Sequence, residues 1–377
     1  MAAHDAPVTI AVVGAGCVHC CAVRCTGSHP TSAPPAIRRY WGKNYVRSLS
    51  EMAAYKLKYV IDSRPETQSK FTVMYPAVST VGDIAVALED AEVQALVIAT
   101  PASTHYELGM AALNAGKHVI IEKPLATQVD HAIELRDTAA AKGLKLLVGF
   151  TAVFIPSVMH AKSIIDSDAF GTPFYMHSTR TNLGIIRPDV NVSWDLVPHD
   201  IAVFLYWNAH PVEWVSATGV DCVKPGTKKA DVVFVSLKFA NGVMAHVMAS
   251  WADPKKCRET FIVSNKMRLA IDDVDMTKPL QVHHQSIKEE DIGEKVLDAA
   301  STYGESKLIT TVGDVVLPKV AWSEPLKNQI MSLHSLITVE GYESPASADL
   351  GVRVVQVLDA IDTSLQGNGA PVYLEKA

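Results

Sequence analysis

A lysine and a histidine–aspartate pair stand out in this chain, because these residue types suit the transfer of a proton. Lys123 lies in the tripeptide Glu122-Lys123-Pro124, directly after an apolar run. Asp195 and His199 lie four residues apart, a spacing that places two side chains on one face of a helix. Histidine can take up a hydroxyl proton near neutral pH, and an ammonium group can stabilise negative charge that develops on the same oxygen. Each residue alone also has a plain structural explanation, as a solvated lysine or a core histidine.

These side chains need a framework, and the first 150 residues alternate apolar runs with amphipathic segments. Continuous apolar runs separated by helical patterns are typical of parallel strands that are buried on both faces. The runs lie at residues 8–13, 57–61, 95–99, 118–121 and 144–148, and the helical patterns include 106–115 and 129–142. We therefore predict a doubly wound α/β domain of the Rossmann type over residues 1–149. Ligands bind at the carboxyl ends of such strands, where Lys123 lies.

The second half of the chain has a different residue pattern, in which strand-like segments predominate. Strand-like segments lie at residues 173–181, 231–239, 243–251 and 259–263, and Asn241-Gly242 marks a hairpin between two of them. Residues 350–366 have helical spacing of their apolar side chains. We predict that residues 150–377 form a substrate-binding and oligomerisation domain of the α+β class with a large, mainly antiparallel, open sheet.

A glycine-rich turn follows the first predicted strand, but it is interrupted. Gly14 and Gly16 fit a dinucleotide-binding fingerprint, whereas the expected third position holds a histidine. Omitting residues 17–39 places Gly42 at that third position, and Asp62 then ends the second strand, where an acidic residue binds ribose hydroxyls. We therefore predict that these 23 residues are an insertion in the phosphate loop, from retained non-coding sequence or a gene-model error. A natural surface loop is the alternative.

The same residues bear on the cofactor. The carboxylate of Asp62 favours NAD, because it repels the 2′-phosphate of NADP. Arg64, two residues later, could instead bind that phosphate, so NADP stays the alternative. The insertion could also displace the helix that follows it and make the chain, as written, inactive.

Composition excludes several classes of protein. The chain has 377 residues, 48% of them hydrophobic and 20% charged, with a net charge of −6, which gives no electrostatic footprint for nucleic acid or an anionic membrane. No apolar run approaches the roughly 18 residues that span a bilayer, and the N-terminus lacks a signal-peptide pattern, so we expect a cytoplasmic protein. Four of the six cysteines crowd into residues 17–25, which does not predict a disulfide framework, and we expect no metal site.

Several motifs together resemble the Gfo/Idh/MocA family of oxidoreductases. They are the glycine fingerprint, the segment 99–105, Glu122-Lys123-Pro124, and the pair Asp195 and His199. The segments 40–44, 179–191 and 194–201 resemble in particular a branch that contains nucleotide-sugar 3-dehydrogenases, acting on UDP-N-acetylglucosamine or its uronic acid.

This resemblance implies a role for each motif. Lys123 would lie between nicotinamide and substrate, His199 would be the general acid and base, and Asp195 would be its neighbour. The residues implied to bind the cofactor are Gly14, Gly16, Trp41, Gly42, Asp62, Thr100, Pro101, His105, Glu122 and Lys123. The candidates for substrate contact are Arg180, Asn182, Arg187 and Asn191, whose alternative is an ordinary polar loop. The exposed face of the second sheet would join copies into a homodimer or homotetramer, and the helix at about 350–366 would pack on the first domain.

The expected activity is NAD-dependent oxidation of a secondary alcohol on a sugar or nucleotide sugar. One alternative is an inositol or free-sugar dehydrogenase. Another is a non-catalytic dinucleotide-binding regulator, although the presence of Lys123 together with Asp195 and His199 argues against it.

Overall fold

The computed structural model describes residues 6–15, 41–183, 186, 190–223, 225–227, 229–289 and 308–374. These residues belong to two compact units. The first comprises Met1–Phe154 and Ser323–Asp359, and the second comprises Ile155–Trp322 and Ala360–Ala377. The first unit therefore takes in a C-terminal segment of the chain as well as the N-terminal half. Within the described ranges, no helix is both long and apolar enough to cross a membrane.

The first unit is built on a parallel sheet. Its strands are β1 (Val8–Val13), β2 (Tyr55–Ile61), β3 (Ser79–Val81), β4 (Ala95–Ile98), β5 (His118–Ile121) and β6 (Leu146–Val148). Its helices are α1 (Gly42–Glu51), α2 (Pro65–Met74), α3 (Ala85–Glu89), α4 (His105–Asn114), α5 (Val129–Ala141) and, later in the chain, α9 (Pro325–Thr338). Within the described residues, the six strands lie in the order β3-β2-β1-β4-β5-β6. The predicted doubly wound sheet is confirmed.

Burial explains why the apolar runs predicted these strands so well. All residues of β1 and β4 are buried, because helices cover both faces of a doubly wound sheet. The three-residue strand β3 was not predicted, because it is short and none of its residues is buried. The strands β2 and β3 lie on one side of β1, and β4, β5 and β6 lie on the other, so the order of strand addition switches between β1 and β4. The crevice outside that switch point is where such folds bind ligands.

The second unit is built on a larger sheet. Its strands are β7 (Pro173–Thr181), β8 (Val212–Val220), β9 (Val232–Phe239), β10 (Met244–Ser250), β11 (Cys257–Ser264), β12 (Met267–Asp272), β13 (Gln281–Glu289), β14 (Leu308–Val316) and β15 (Val372–Tyr373). In the described part of the chain, the nine strands lie in the order β14-β13-β12-β11-β7-β10-β9-β8-β15. Only the pair of β7 and β10 is parallel among them. The predicted α+β class with a mainly antiparallel sheet is confirmed, and so is the hairpin at Asn241-Gly242, where Gly242 has a φ of +85°.

Helices α6 (Pro156–Ile165), α7 (Val192–Asp195) and α8 (Val197–Trp207) pack against this sheet. Burial alternates along its strands, so one face lies under the helices and the other carries half-buried and exposed side chains. The last long helix, α10 (Ala348–Gln366), begins in the first unit and ends in the second. It matches the helix predicted at 350–366.

Candidate active site

The turn after β1 lies against the turn after β4 at the switch point of the first sheet. Gly14 has a φ of +87°, a conformation that side chains other than glycine rarely adopt. A Cβ atom on Gly14 would lie 2.8 Å from both the carbonyl oxygen of Ala99 and the Cγ2 atom of Thr100. The two turns are therefore in contact through a glycine that no other residue can replace without strain.

Gly42 supplies the close contact expected of a third fingerprint glycine. A Cβ atom there would lie 2.5 Å from the carbonyl oxygen of Gly14 and 2.7 Å from the Cα atom of Ala15. The first turn of α1 thus packs directly on the main chain that leaves β1, and exposed Trp41 precedes it. This contact supports the assignment of Gly42 by omission of residues 17–39. Gly16 and those residues lie outside the described part of the chain.

Asp62 follows β2 as predicted, and its carboxylate is buried. The Oδ1 atom accepts hydrogen bonds from the main-chain N–H of Arg64 at 3.1 Å and from its Nε at 3.3 Å. Gln68 donates its side-chain amide to the carbonyl oxygen of Asp62 at 2.8 Å. The two residues that bear on the choice between NAD and NADP therefore form an ion pair with each other.

His105 joins the loop after β4 to the loop after β5. Its ring is buried, with Nδ1 2.7 Å from the carbonyl oxygen of Pro124 and Nε2 3.0 Å from that of Thr100. Burial lowers the pKa of His105, and the two carbonyl groups oppose that shift. Thr104 donates to the Thr100 hydroxyl at 2.7 Å, and Pro101 lies between them at the start of a short turn. The imidazole that was predicted to bind the cofactor thus holds two loops of the main chain together.

Glu122 is buried beside Lys123, and its carboxylate has partners within the protein. Oε1 accepts a hydrogen bond from the hydroxyl of Tyr45 at 2.7 Å, and Oε2 accepts one from the main-chain N–H of Lys123 at 3.2 Å. Burial raises the pKa of Glu122, whereas the Tyr45 hydrogen bond and the Lys123 charge lower it. Lys123 itself is half-buried, and the peptide bond to Pro124 is cis. Tyr45 was not among the predicted residues, although it follows Gly42 by one helical turn on the buried face of α1.

In the second unit, Asp195 ends α7 and His199 lies in the first turn of α8. The two residues thus lie on two successive helices, because Pro198 has no N–H to continue the hydrogen bonds of α7. Leu196, between the two helices, keeps helical backbone angles of −96° and −46°. The Oδ2 atom of Asp195 accepts a hydrogen bond from the indole N–H of Trp251 at 3.3 Å. Both members of the pair are half-buried.

Arg180, a candidate for substrate contact, is paired inside the second unit. Its guanidinium donates to both carboxylate oxygens of Asp200, from Nε at 2.7 Å and from Nη2 at 2.9 Å. Burial opposes the charge on Arg180, but Asp200 raises the pKa of its guanidinium. Ser178 also donates to Asp200 at 2.6 Å. This buried ion pair anchors α8, one residue after His199, to strand β7.

Asn191, another candidate, also has partners in the second unit. Its Oδ1 accepts a hydrogen bond from the main-chain N–H of Ala230 at 3.1 Å, and its Nδ2 donates to Asp362 at 3.0 Å. The indole N–H of Trp194 donates to the other oxygen of Asp362 at 2.8 Å. The amide of Asn191 therefore fixes the chain that enters α7.

The two remaining candidates lie in the loop that follows β7. Asn182 is half-buried, and its main-chain N–H donates to the carbonyl oxygen of Ser250 at 3.0 Å. Arg187 lies outside the described residues. Contact of these side chains with a substrate stays a prediction.

Comparison with known families gives two matches that together cover more than half of the chain. Residues 39–150 match the model described as the oxidoreductase family with an NAD-binding Rossmann fold. Residues 158–269 match the model of the GFO/IDH/MocA C-terminal domain. The first match begins at the last residue of the predicted insertion.

Curated relatives carry several activities. The chain is 31% identical over 199 residues to UDP-N-acetylglucosamine 3-dehydrogenase of Acidithiobacillus ferrooxidans, covering 52% of this chain and 60% of that one. It is 34% identical over 146 residues to inositol 2-dehydrogenase of Mycolicibacterium smegmatis, covering 38% and 42%. In these matches the chain spans less than two thirds of the relatives' length.

Solved structures share the fold over nearly the whole chain. A crystal structure of UDP-N-acetylglucosamine 3-dehydrogenase from Acidithiobacillus ferrooxidans has a TM-score of 0.74 at 20% identity, covering 96% of this chain and 99% of that one. GenD2 from gentamicin A biosynthesis, in complex with NAD, has a TM-score of 0.74 at 18% identity, covering 100% and 98%. At these identities the likeness shows the fold alone.

Proposed function

Because this chain belongs to the Gfo/Idh/MocA oxidoreductase family, with an NAD-binding Rossmann domain, we propose that it is an NAD-dependent dehydrogenase acting on a secondary alcohol of a sugar or nucleotide sugar. The observation that carries the proposal is the contact of Gly42 with the main chain at Gly14 and Ala15. It brings the N-terminus of a ten-residue helix to the carboxyl end of β1 with no side chain between them. Such an arrangement suits a pyrophosphate, which the helix N-terminus attracts.

The cofactor would be held by residues of the first unit at its switch point. Gly14 and Gly42 would flank the pyrophosphate, Asp62 would bind ribose hydroxyls, and Thr100 and Lys123 would lie toward the nicotinamide. When bound, NAD supplies the acceptor for a hydride.

The protein's own residues would handle the proton. His199 accepts the proton of the substrate hydroxyl, since an imidazole can act as a base near neutral pH. Asp195 orients the imidazole or a sugar hydroxyl, and it is itself oriented by Trp251. The Lys123 ammonium stabilises negative charge on the reacting oxygen.

NAD is the proposed cofactor rather than NADP. The buried Asp62 carboxylate would repel a 2′-phosphate, and Arg64 is already engaged with that carboxylate. An arginine held on a carboxylate is less available to bind a phosphate.

The substrate class has two candidates, each favoured by a curated relative. The 31% identity to a UDP-N-acetylglucosamine dehydrogenase favours a nucleotide sugar, and the 34% identity to an inositol dehydrogenase favours a cyclitol. We place the nucleotide sugar first, because the segments 40–44, 179–191 and 194–201 resemble that branch.

The test uses the full chain and a second form that lacks residues 17–39. NAD and NADP are titrated into both, and reduction of each is followed by absorbance with UDP-N-acetylglucosamine, its uronic acid, myo-inositol and free glucose. We expect NAD to bind more tightly than NADP, with turnover on a UDP-sugar. Binding of neither dinucleotide by either form would overturn the proposal, and NAD binding without turnover on any compound would favour the regulator.

We also propose that the chain forms a homodimer or homotetramer through the open face of the second sheet. Tyr175, Phe234 and Met244 are exposed on that face, on the adjacent central strands β7, β9 and β10. Apolar side chains exposed on the open face of a sheet are suited to an interaction surface. Phe234→Glu should convert the oligomer to a smaller species in sedimentation or size-exclusion measurements, whereas Val73→Glu, an exposed change on α2, should not.

A further inference from the structure

A chain of buried and part-buried hydrogen bonds leads to Glu122 from a distant part of the first unit. Thr151 lies 3.2 Å from the Oε1 atom of Gln329, and the Nε2 atom of Gln329 donates to the hydroxyl of Tyr45 at 2.7 Å. The Tyr45 hydroxyl donates to Glu122 at 2.7 Å, and the main-chain N–H of Lys123 donates to its other oxygen. These contacts join α9, α1 and the loop after β5.

All of these hydrogen bonds are donated toward Glu122. Each side chain donates to the next one along the chain, and the Glu122 carboxylate at its end accepts hydrogen bonds from two donors. Burial is the largest influence on Glu122 and raises its pKa, whereas the hydrogen bonds from Tyr45 and Lys123 and the Lys123 charge favour its charged form. The pKa of Tyr45 is raised, mainly by burial and then by the Glu122 charge, so its hydroxyl stays protonated and serves as a donor.

The pocket around the carboxylate is closely fitted. Tyr45 and Gln329 have no exposed surface, and Glu122 is 6% exposed. A Cβ atom on Gly149 would lie 2.7 Å from the Oε1 atom of Glu122, so only glycine leaves room for the carboxylate there. Glu122 is thus enclosed by the protein, as expected of a positioning group.

We propose that Tyr45 and Gln329 are positioning residues for Lys123, acting through Glu122. The inference rests on the proposed role of Lys123 in the dehydrogenase. Glu122 fixes the main chain at Lys123, and its negative charge favours the ammonium form of the lysine. Tyr45 lies one turn after Gly42, so the helix that meets the pyrophosphate and the loop that carries Lys123 share one hydrogen bond.

The first test measures the pKa of Lys123 and needs no catalysis. Competitive acetylation of lysines across a pH series, read by peptide mass spectrometry, gives that pKa in the wild type, Glu122→Gln and Tyr45→Phe. We expect a lower pKa for Lys123 in Glu122→Gln, because a neighbouring negative charge is removed, and an intermediate pKa in Tyr45→Phe. Tyr59→Phe is the matched control, since it also removes a tyrosine–carboxylate hydrogen bond, to Asp90 at 2.9 Å.

The second test separates positioning from cofactor contact. In Tyr45→Phe, kcat should fall roughly ten- to a hundredfold, as expected when a hydrogen bond to a charged group is lost. In Gln329→Leu, where the lost hydrogen bond is to a neutral hydroxyl, kcat should fall about two- to tenfold. The Kd for NAD, and the KM for the sugar, should change less than about threefold. The kcat of Gln329→Glu should resemble that of Gln329→Leu, because glutamate keeps an oxygen toward Thr151 but has no N–H to donate to Tyr45.

Two outcomes would overturn the inference. One is an unchanged pKa of Lys123 in both Glu122→Gln and Tyr45→Phe. The other is a loss of NAD affinity that parallels the loss of kcat, which would make Glu122 a cofactor contact. If the wild type proves inactive on every sugar, the proposed function fails, while the acetylation measurement still decides whether Tyr45 acts on Lys123.

Discussion

Replacing Gly42 by alanine tests the central contact of the proposed cofactor site. The added Cβ atom would lie 2.5 Å from the carbonyl oxygen of Gly14 and 2.7 Å from the Cα atom of Ala15. Contacts of a Cβ atom under 3.0 Å essentially do not occur, so α1 must move away from β1 by at least 0.5 Å. Both opposing atoms belong to the main chain of a buried turn, and neither can turn aside as the end of a side chain could.

The expected cost follows from overpacking. Forcing an extra carbon into a closed contact costs about 1–3 kcal/mol. Because Gly42 is the first residue of α1, the better propensity of alanine for a helix interior offsets little of this cost. We therefore expect the free energy of unfolding to fall by roughly 1–3 kcal/mol. NAD affinity should fall by at least about tenfold, because the N-terminus of α1 moves away from the place proposed for the pyrophosphate.

The assay is denaturant unfolding together with NAD titration by fluorescence. Gly82→Ala is the control, since its Cβ atom would meet only the end of the flexible Gln68 side chain, at 3.2 Å. Unchanged stability and unchanged NAD affinity in Gly42→Ala would refute the assignment of Gly42 as the third fingerprint glycine.

Three further predictions concern other parts of the two units. Asp62→Ala should improve NADP affinity relative to NAD affinity by on the order of tenfold, or about 1.4 kcal/mol, because the carboxylate no longer repels a 2′-phosphate and no longer holds Arg64. Parallel titrations measure both affinities, and an unchanged ratio of the two would count against a role of Asp62 in the choice of cofactor. Because the pKa of His105 is lowered in the folded protein, it contributes stability above the ordinary histidine pKa of about 6.5, and this stability is lost as the pH falls through the lowered value. The free energy of unfolding should therefore drop in acid, and it should drop less steeply in His105→Gln. The unfolding free energy is measured by urea titration at a series of pH values. The same dependence of that free energy on pH in the wild type and in His105→Gln would contradict this. Arg180→Met leaves Asp200 buried without its partner and should cost about 3–5 kcal/mol, whereas a loss under 1 kcal/mol in thermal unfolding would show that the ion pair does not anchor α8.

Much of the first unit could be predicted from sequence, because its central strands β1 and β4 are buried on both faces and therefore appear as uninterrupted apolar runs. Gly42 could also be proposed as the third glycine, although residues 17–39 separate it from the first two, since spacing rules relate glycine, helix and Asp62 in order. These signals are local in sequence, so each can be found on its own side of the predicted insertion.

The contacts that organise the site were harder to predict. Tyr45 and Gln329 lie 284 positions apart, and a buried tyrosine and glutamine have no sequence pattern that pairs them. Arg180 and Asn191 were considered as substrate contacts because they are polar and precede His199, yet their partners Asp200 and Asp362 are set by the folded sheet and by α10. Whether a polar side chain serves the fold or a ligand depends on neighbours that only the tertiary structure brings to it.

The first unit is assembled from two stretches of chain, and this has a consequence for its synthesis. Residues 155–322 leave the ribosome between Phe154 and the segment that begins at Ser323. At roughly 5–20 residues per second, this interval lasts on the order of ten to thirty seconds. During that time the nascent N-terminal unit has no α9, so the buried hydroxyl of Tyr55 lacks its acceptor, the carbonyl oxygen of Ile330. The surface that the buried α9 residues Leu326, Ile330 and Leu333 later cover is therefore still exposed during this interval, and the core of the first unit is completed only after α9 has been synthesised.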